Sequence, residues 1–391
     1  MKILITTDLY KPTINGVVTS VISLRDELLK LGHDVRILTL KQRGKFDQEK
    51  NTWYIRSISA GKIYPQARVL CSLGRKQMKE IAIWEPDIIH SQCEFSTFIL
   101  ARKISKDLKI PIIHTYHTIY EDYTHYFIPS DRIGRVLVRK LSNNILSHTQ
   151  AVIAPTEKIW RILKRYGVGE PLYTLPSGIN LELAAKKISK ERSEELKNKY
   201  KIEKSKKVLL FLGRMGKEKN VMELIEFFNR LNNDDFVLLL VGDGPQRSQL
   251  EETVIKLELE KKIIFAGMVP RKLVNEYYQL ADVFVCASTS ETQGLTYIEA
   301  LSNGLPAVCR KDECIQEVIF NGKNGFQYTS YEEFEKDLEY VFSDPGIYKT
   351  MSEEALLVAK NFSVSMTAKK IEIIYEKTIA DNKKDLEIEV A

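Results

Sequence analysis

Short apolar runs alternate with longer amphipathic stretches along most of the chain. The first eight residues, MKILITTD, form an apolar run that ends in polar residues, as a buried strand does. A loop and a helix-like stretch to Lys30 follow, and residues 34–40 have the pattern of the next strand. This order of strand, loop, helix and strand is typical of a Rossmann-like unit, which is built around a parallel sheet.

The same alternation continues and then restarts in the second half of the chain. Strand-like runs are predicted in the first half at residues 53–57, 87–90, 110–114, 151–154 and 173–175. In the second half they are predicted at residues 207–212, 236–241, 263–266, 282–286 and 322–328. Helices are expected at about 221–231, at 295–303 before Gly304, and from about Tyr331 onward. The pattern therefore predicts two successive α/β units.

Composition places the chain among ordinary globular proteins. Apolar residues make up 44% and charged residues 28% of the 391 positions. Asp8 interrupts the first apolar run, so no signal peptide is expected, and no window approaches about 18 uninterrupted apolar residues. The five cysteines are an odd and scattered set, which favours reduced thiols in a cytosolic protein over disulfides or a zinc site.

Charge is distributed unevenly between the two halves. Residues 1–176 hold 27 Lys and Arg against 16 Asp and Glu, whereas residues 177–391 hold 31 against 36. A basic first half indicates an anionic partner, either a membrane surface or a nucleic acid. Two stretches there, 64–83 and 131–147, mix apolar with basic residues and are predicted as helices. Such a helix can lie on an anionic bilayer or pack its apolar face on the sheet.

A phosphate-binding arrangement is predicted within residues 287–308, ASTSETQGLTYIEALSNGLPAV. Its polar loop ends at a helix N-terminus, where backbone amides and the helix dipole favour an anion. Glu291 lies in the loop and Glu299 about one turn inside the helix, with seven residues between them. A carboxylate at each end and amides in the middle suit a ligand with hydroxyls around a phosphate.

A second anion site is predicted where residues 207–212 lead into the loop GRMGKEKN. Arg214 can make bidentate phosphate contacts, and Lys219 supplies a point charge. The spacing is not that of a Walker loop. The corresponding loop of the first half has one glycine, Gly16, and no GxGxxG, so a nicotinamide dinucleotide is not expected.

Residues 113–126, IHTYHTIYEDYTHY, form the other chemically dense run. They follow a predicted parallel strand, at the end where open α/β sheets bind ligands. Aromatic and polar groups together suit a sugar or glycerol. A metal held by His114, His117 and His125 is the less favoured alternative, because histidines among so many tyrosines more often serve as hydrogen-bond partners.

Together these motifs resemble family 4 retaining glycosyltransferases. The resemblance rests on the Glu291–Glu299 spacing with Gly294, Ala300–Leu301 and Gly304–Pro306. It implies that Glu291 contacts the transferred sugar, that the amides near Gly294 hold the diphosphate, and that Glu299 binds the ribose. The amides in question belong to Leu295 and Thr296.

The resemblance also implies roles for residues outside that stretch. Arg214 and Lys219 would neutralise the donor diphosphate, and His117 would lie near the 6-hydroxyl of the sugar. Gly16 would lie against the donor phosphates, while the backbone of Met268 and Val269 would contact the base. The string YHT-x-YEDY-x-HY further resembles bacterial diacylglycerol α-glucosyltransferases.

The implied fold is α/β, of the GT-B class, with two Rossmann-like doubly wound domains facing a cleft. Residues 1–176 would form the acceptor-side domain and residues 177–364 the nucleotide-sugar domain, with the tail, about 365–391, packing back on the first. The implied reaction moves a hexose, glucose from UDP-glucose, to diacylglycerol on the cytoplasmic face of the membrane. No Asp-x-Asp triplet occurs, so neither a metal nor another cofactor is expected.

Two other functions are compatible with the sequence. One is a soluble family 4 hexosyltransferase that makes a polysaccharide or a small glycoside, in which case the basic helices merely pack on the sheet. The other is a non-catalytic nucleic-acid-binding protein that uses the positive first half, although no recognised nucleic-acid module is present and nucleic acid is not the expected partner. The sequence does not distinguish glucose from galactose, nor UDP from another nucleotide.

Overall fold

The computed structural model describes residues 1–13, 15–42, 48–61, 67–121, 131–169 and 171–390. It contains two compact units. The first unit comprises Met1–Gly178 together with Val364–Ala391, and the second comprises Ile179–Ser363. The C-terminal helix therefore belongs to the first unit.

Within the described part of the first unit, seven parallel strands form one sheet and two short antiparallel strands form another. The strands are β1 (Lys2–Thr7), β2 (Asp34–Leu40), β3 (Thr52–Ile55), β4 (Ser57–Ser59), β5 (Arg68–Leu70), β6 (Ile88–Ser91), β7 (Ile112–Thr115), β8 (Ala151–Ala154) and β9 (Leu172–Thr174). The order in the large sheet is β3-β2-β1-β6-β7-β8-β9. Strands β6, β7 and β8 are buried along their whole length. A parallel sheet covered on both faces requires this, and it explains the short continuous apolar runs.

Helices cover this sheet. They are α1 (Gly16–Lys30), α2 (Arg75–Trp84), α3 (Ser96–Leu108), α4 (Asp131–Leu146), α5 (Glu157–Tyr166) and, from the end of the chain, α14 (Val364–Val390). Helix α14 packs against α1. Its residues Ala368 and Tyr375 are fully buried in the same core as Ile3 of β1.

The helix predicted over residues 64–83 is wrong in its first part. Arg68–Leu70 forms β5, and α2 begins only at Arg75. The Arg68 guanidinium donates to the hydroxyl and the carbonyl of Ser57, at 2.7 and 2.8 Å, which holds β5 beside β4. Gly74 then adopts a left-handed backbone conformation, with φ of +58°, and α2 follows it. Residues 64–66 lie outside the described residues.

The second unit, whose backbone is described throughout, has six parallel strands. They are β10 (Lys207–Leu212), β11 (Phe236–Val241), β12 (Ile263–Gly267), β13 (Val283–Cys286), β14 (Ala307–Arg310) and β15 (Gly325–Tyr328), in the order β12-β11-β10-β13-β14-β15. Its helices are α6 (Leu181–Ala185), α7 (Lys190–Lys199), α8 (Val221–Leu231), α9 (Arg247–Lys256), α10 (Arg271–Leu280), α11 (Leu295–Ser302), α12 (Tyr331–Phe342) and α13 (Pro345–Lys360).

Both large sheets reverse their strand order at one point. In the first unit the reversal lies between β1 and β6, and in the second between β10 and β13. Loops at the carboxyl ends of such a strand pair diverge and leave a crevice, where open α/β sheets bind their ligands. Each unit thus has one switch point where functional side chains are expected. The observed architecture is the predicted α/β fold with two Rossmann-like halves.

Candidate active site

Two loops meet at the switch point of the second unit. One follows β10 and the other follows β13. The backbone carbonyl of Glu218, in the first loop, accepts hydrogen bonds from the Thr289 amide at 3.0 Å and from the Ser288 hydroxyl at 3.1 Å. These bonds tie the loop that carries Arg214 and Lys219 to the loop that carries Glu291.

The two predicted cations of this site both contact carboxylates. Arg214 Nη2 lies 2.5 Å from Glu218 Oε1, and the Lys219 ammonium donates to Glu291 Oε1. Both carboxylate side chains are only 9% exposed, so the ion pairs are shielded from solvent. The structure therefore brings together Arg214, Lys219 and Glu291, three of the predicted site residues. It adds Glu218, which sequence reasoning missed.

Glycines allow this loop to pack closely on its neighbour. A Cβ on Gly242 would lie 1.9 Å from the Gly213 carbonyl oxygen, and one on Gly244 would lie 2.4 Å from the Met215 carbonyl oxygen. The loop after β10 therefore rests directly on the backbone of the loop after β11. A Cβ on Gly216 would lie 2.5 Å from both carboxylate oxygens of Glu218, so this glycine leaves room for the Glu218 side chain.

Helix α11 begins next to these loops. It is preceded by Gly294, which has a φ of +71° and whose added Cβ would lie 2.5 Å from the Tyr297 ring. Leu295 and Thr296 are the first two residues of the helix, so their amides have no acceptor within it. This is the geometry that the sequence predicted for anion binding at a helix N-terminus.

Glu299 lies in α11, as predicted. Its Oε2 accepts from the Tyr278 hydroxyl at 3.0 Å, and Arg271 Nη1 lies 3.8 Å from its Oε1. Burial raises the pKa of Glu299 above its ordinary value, and the Arg271 charge and the Tyr278 hydrogen bond oppose that shift. Met268 and Val269 follow β12, and the Met268 side chain is 60% exposed.

At the switch point of the first unit, Asp8 follows β1 and is buried. Its carboxylate accepts from the amides of Ser96 at 3.1 Å and Thr97 at 2.7 Å, at the start of α3. Burial raises the pKa of Asp8 in spite of these bonds. Asp8 therefore anchors α3 to β1. At the entrance of α1, Gly16 is the first helical residue, after Asn15, whose side chain accepts from the Val18 amide.

The two described histidines of the predicted loop are hydrogen-bonded to side chains that follow β6. His117 Nε2 lies 2.6 Å from Gln92 Oε1, and His114 Nε2 lies 3.2 Å from Glu94 Oε1. The Tyr120 hydroxyl also donates to Glu94. Within the part of the chain that the structure describes, no group of three His, Cys, Asp or Glu side chains is arranged to hold a metal. His125 lies outside that part.

Burial keeps two histidines of this region neutral near pH 7. It lowers the pKa of His117 to about 4, with Glu94 opposing the shift and His114 adding to it. It lowers the pKa of His90 to about 3. His90 is in contact with the Tyr375 hydroxyl at 2.6 Å and the Thr115 hydroxyl at 2.7 Å, so it links α14 to the sheet.

Sequence reasoning missed Gln92 and Glu94. Both follow directly after the buried strand β6, at the end of the sheet where the loops carry function. The polar run SQCE after an apolar strand was a usable signal of this position. Neither residue belongs to a short motif that would identify it from the sequence.

Helix α4 presents an unusual exposed surface. Ile133, Val136, Leu137 and Leu141 are each at least half exposed, and their spacing places them along one stripe of the helix. The basic residues next to them in the sequence are exposed as well: Arg132, Arg135, Arg139 and Lys140. Ser142, Ile145 and Leu146 are buried. Among the described residues, none of the helices has the length and apolar character needed to cross a bilayer.

Two sequence families match the two units. Residues 14–183 match the family described as Glycosyltransferase Family 4, and residues 192–358 match that described as Glycosyl transferases group 1. The chain is 33% identical to the alpha-monoglucosyldiacylglycerol synthase of Acholeplasma laidlawii, over 99% of each protein. It is 36% identical to the synthase of the same name from Streptococcus pneumoniae, over 93% of this chain and 83% of that protein.

Solved structures share the fold at low sequence identity. Anabaena HepE in complex with UDP and glucose superposes with a TM-score of 0.76 at 18% identity, over 96% of this chain and all of that one. Sucrose-phosphate synthase from Thermosynechococcus elongatus superposes with a TM-score of 0.77 at 19% identity, over 97% and 99% of the two chains.

Proposed function

Because the chain belongs to the family 4 glycosyltransferases of the GT-B fold, we propose that it transfers glucose from UDP-glucose to diacylglycerol, with retention of the α configuration. The observation that carries this proposal is the alignment with the Acholeplasma laidlawii synthase, which spans 99% of both chains at 33% identity. The alignment includes the first unit, which is predicted to be the acceptor side. The product would be an α-glucosyl diacylglycerol.

The charges at the second switch point suit the departure of a diphosphate. As the bond between the sugar C1 and the phosphate oxygen breaks, negative charge grows on the leaving group. Arg214 and Lys219, with the amides of Leu295 and Thr296, would stabilise that charge. The acceptor hydroxyl would form its bond to C1 on the same face, and its proton would pass to the leaving phosphate. No covalent intermediate on the protein is required.

Other residues would bind rather than react. Glu291 and His117 would hold the hydroxyls of the sugar, and Glu299 would bind the ribose. Gly16 would lie against the donor phosphates. The backbone of Met268 and Val269 would contact the base. We expect no metal or other cofactor in the reaction, because cationic side chains and helix ends supply the counter-charge.

The exposed face of α4 suits an acceptor that lies in a membrane. Four apolar side chains could enter the interface, while four basic side chains meet anionic headgroups. Each basic residue near an anionic surface contributes about 1 kcal/mol. We therefore assign the membrane contact to α4. In α2 the basic residues are accompanied by one exposed large apolar side chain, Ile83.

The proposal is tested with purified protein and vesicles that contain diacylglycerol and phosphatidylglycerol. UDP-glucose should yield a lipid-linked glucose whose anomeric proton, by NMR, shows the α configuration, and UDP-galactose should react more slowly. The same assay with EDTA should give unchanged turnover. Transfer to a water-soluble acceptor but not to diacylglycerol would instead support the soluble hexosyltransferase. Loss of activity with EDTA, restored by Mg²⁺, would contradict the metal-independent mechanism.

A further inference from the structure

Gln92 occupies a fixed position at the switch point of the first unit. It follows the last residue of β6, and its backbone amide donates to the Thr6 carbonyl of β1 at 2.9 Å. The residue is 2% exposed. Because its backbone extends the pairing of β6 with β1, the side chain projects from a rigid support.

The two ends of the Gln92 amide have different surroundings. Its oxygen is 2.6 Å from His117 Nε2. Its nitrogen is buried and has no hydrogen-bond partner among the described residues. Leaving a buried donor without an acceptor is unfavourable, because the group has lost its hydrogen bonds to water.

Gln92 also lines a cavity inside the first unit, and this cavity can supply that partner. The other walls include the polar residues Ser20, Thr115, Ser177 and Thr367. The space suffices for about one water molecule. A water held there by the wall hydroxyls would accept from the amide nitrogen. Both ends of the amide would then have a partner while its oxygen faces His117.

This orientation determines which nitrogen of His117 carries the proton. A neutral imidazole has one N–H donor and one acceptor nitrogen, so its tautomer decides what it offers to a ligand. An amide oxygen at Nε2 requires the proton to be on Nε2. Nδ1 is then the acceptor nitrogen of the ring.

The absence of charge on Gln92 matters for the same reason. His117 lies in the field of Glu94, which follows β6, and of His114 in β7, and it also acts on His90 in β6. Burial outweighs Glu94 and lowers the pKa of His117 to about 4. A second carboxylate at position 92 would favour the imidazolium, which has no acceptor nitrogen.

We propose that Gln92 is a positioning residue for sugar transfer: its amide holds His117 as the neutral Nε2–H tautomer and keeps Nδ1 as an acceptor. The part of this inference that concerns catalysis rests on the proposed function, whereas the part that concerns the tautomer does not. Gln92 itself need not touch the substrate.

The tautomer is measured on the protein alone by long-range ¹H–¹⁵N NMR of ¹⁵N-histidine-labelled samples, with His117→Gln to assign the signal. The wild type should show His117 protonated at Nε2 from pH 6 to 8. Gln92→Met, which keeps the length of the side chain, should shift the signal toward Nδ1–H or a mixture. Gln92→Glu should show imidazolium near neutral pH. A wild-type Nδ1–H tautomer, or a signal unchanged in Gln92→Met, would overturn the inference.

Kinetics then separate positioning from a merely structural role. With UDP-glucose and diacylglycerol, Gln92→Met should lower kcat on the order of tenfold, because one hydrogen bond to His117 is lost. The KM for diacylglycerol should change little. Gln92→Glu should be impaired at pH 6 and recover as pH rises and His117 loses its proton. Equal impairment of Gln92→Glu at all pH values would contradict the inference. If the wild type fails to glucosylate diacylglycerol, the proposed function fails while the NMR result still decides the tautomer.

Discussion

The switch points of the two units lie at equivalent places in similar sheets, yet they are built from different chemistry. In the second unit the predicted site residues are charged, and each cation is held by a carboxylate: Arg214 by Glu218 and Lys219 by Glu291. In the first unit His117 is neutral and is held by an amide. The two units therefore share the position of the switch point but differ in the chemistry of the residues that follow the strands there.

The net charge of each unit does not match the charge of the side chains at its switch point. The first unit holds 32 basic and 22 acidic residues, and the second holds 26 and 30. The positive unit thus has the site whose histidine is neutral, and its excess charge includes the exposed residues of α4. The negative unit has the site with two cations. The net charge of a unit therefore reflects its outer surface, whereas the charges at its switch point depend on which side chains are paired there.

The largest effect is expected at the charged site. Arg214→Ala and Lys219→Ala should each lower kcat/KM by about a hundredfold or more, because a preorganised cation beside a leaving diphosphate stabilises the transition state by several kcal/mol. Arg214→Lys should recover part of the loss, since it keeps the charge but not the bidentate geometry. The measurement is initial-rate kinetics with UDP-glucose, together with thermal unfolding of each variant.

The matched control is Arg230→Ala. Arg230 is a half-exposed arginine of the same unit that pairs with Glu332 at 3.0 Å. This variant should retain wild-type kinetics. Near-normal turnover in both site variants, or losses that follow unfolding, would show that these cations do not act on the reaction.

The sequence was more informative about the charged site than about the neutral one. Glycine-bearing loops that lead into helices have a recognisable pattern, because phosphate binding requires backbone amides and close approach. Order and spacing therefore led to the prediction of Arg214, Lys219, Glu291 and Glu299 as site residues. The pairing of Lys219 with Glu291 could not, since it depends on how two distant loops fold together.

The neutral site was only partly predictable. His117 lies in a conspicuous run of histidine and tyrosine, whereas Gln92 is a single amide whose contact with His117 appears only when β6 and β7 are neighbours. The helix predicted over 64–83 failed for a related reason. Residues 68–70 pair with β4, a tertiary contact that the mixture of apolar and basic residues did not reveal.

The second-largest expected effect is on vesicle binding by the outer surface of the first unit. Arg135→Glu, Arg139→Glu and Lys140→Glu together should weaken binding to anionic vesicles by about 3 kcal/mol, roughly a hundredfold, since each basic residue contributes about 1 kcal/mol. Binding of the wild type should weaken with salt but not vanish, because the apolar stripe of α4 also contributes. Vesicle co-sedimentation at several ionic strengths gives both results.

The control removes equal charge from the second unit, through Lys190→Glu, Lys256→Glu and Lys261→Glu, all of which are exposed. These substitutions should reduce vesicle binding far less. If both triple variants lose binding equally, net charge rather than α4 governs the contact. If the wild type does not bind anionic vesicles, the proposal of a lipid acceptor is no longer supported by a membrane contact.

The smallest expected effect is a difference between the two units in how much stability each loses in mild acid. All six histidines lie in the first unit, and burial lowers the pKa of His90 to about 3 and that of His117 to about 4. In the unfolded chain both titrate near 6.5, so below that pH the unfolded state binds protons that the folded state does not. Stability of the first unit should therefore fall as pH decreases from about 6.5 toward 4. At pH 5 the loss is on the order of 2 kcal/mol for each histidine.

Tryptophan fluorescence isolates this effect, because all three tryptophans, Trp53, Trp84 and Trp160, also lie in the first unit. Urea unfolding followed by fluorescence should give a lower midpoint at pH 5 than at pH 8. Hydrogen exchange in β10, β11 and β13 should report a smaller change for the second unit, which has no histidine. The raised pKa of Asp8 acts in the opposite direction, since its folded state binds a proton more readily than the unfolded chain.

His117→Gln should reduce the acid sensitivity, and His148→Gln, which changes an exposed histidine, should not. An equal decline in both units would mean that His90 and His117 do not set the acid limit of the first one.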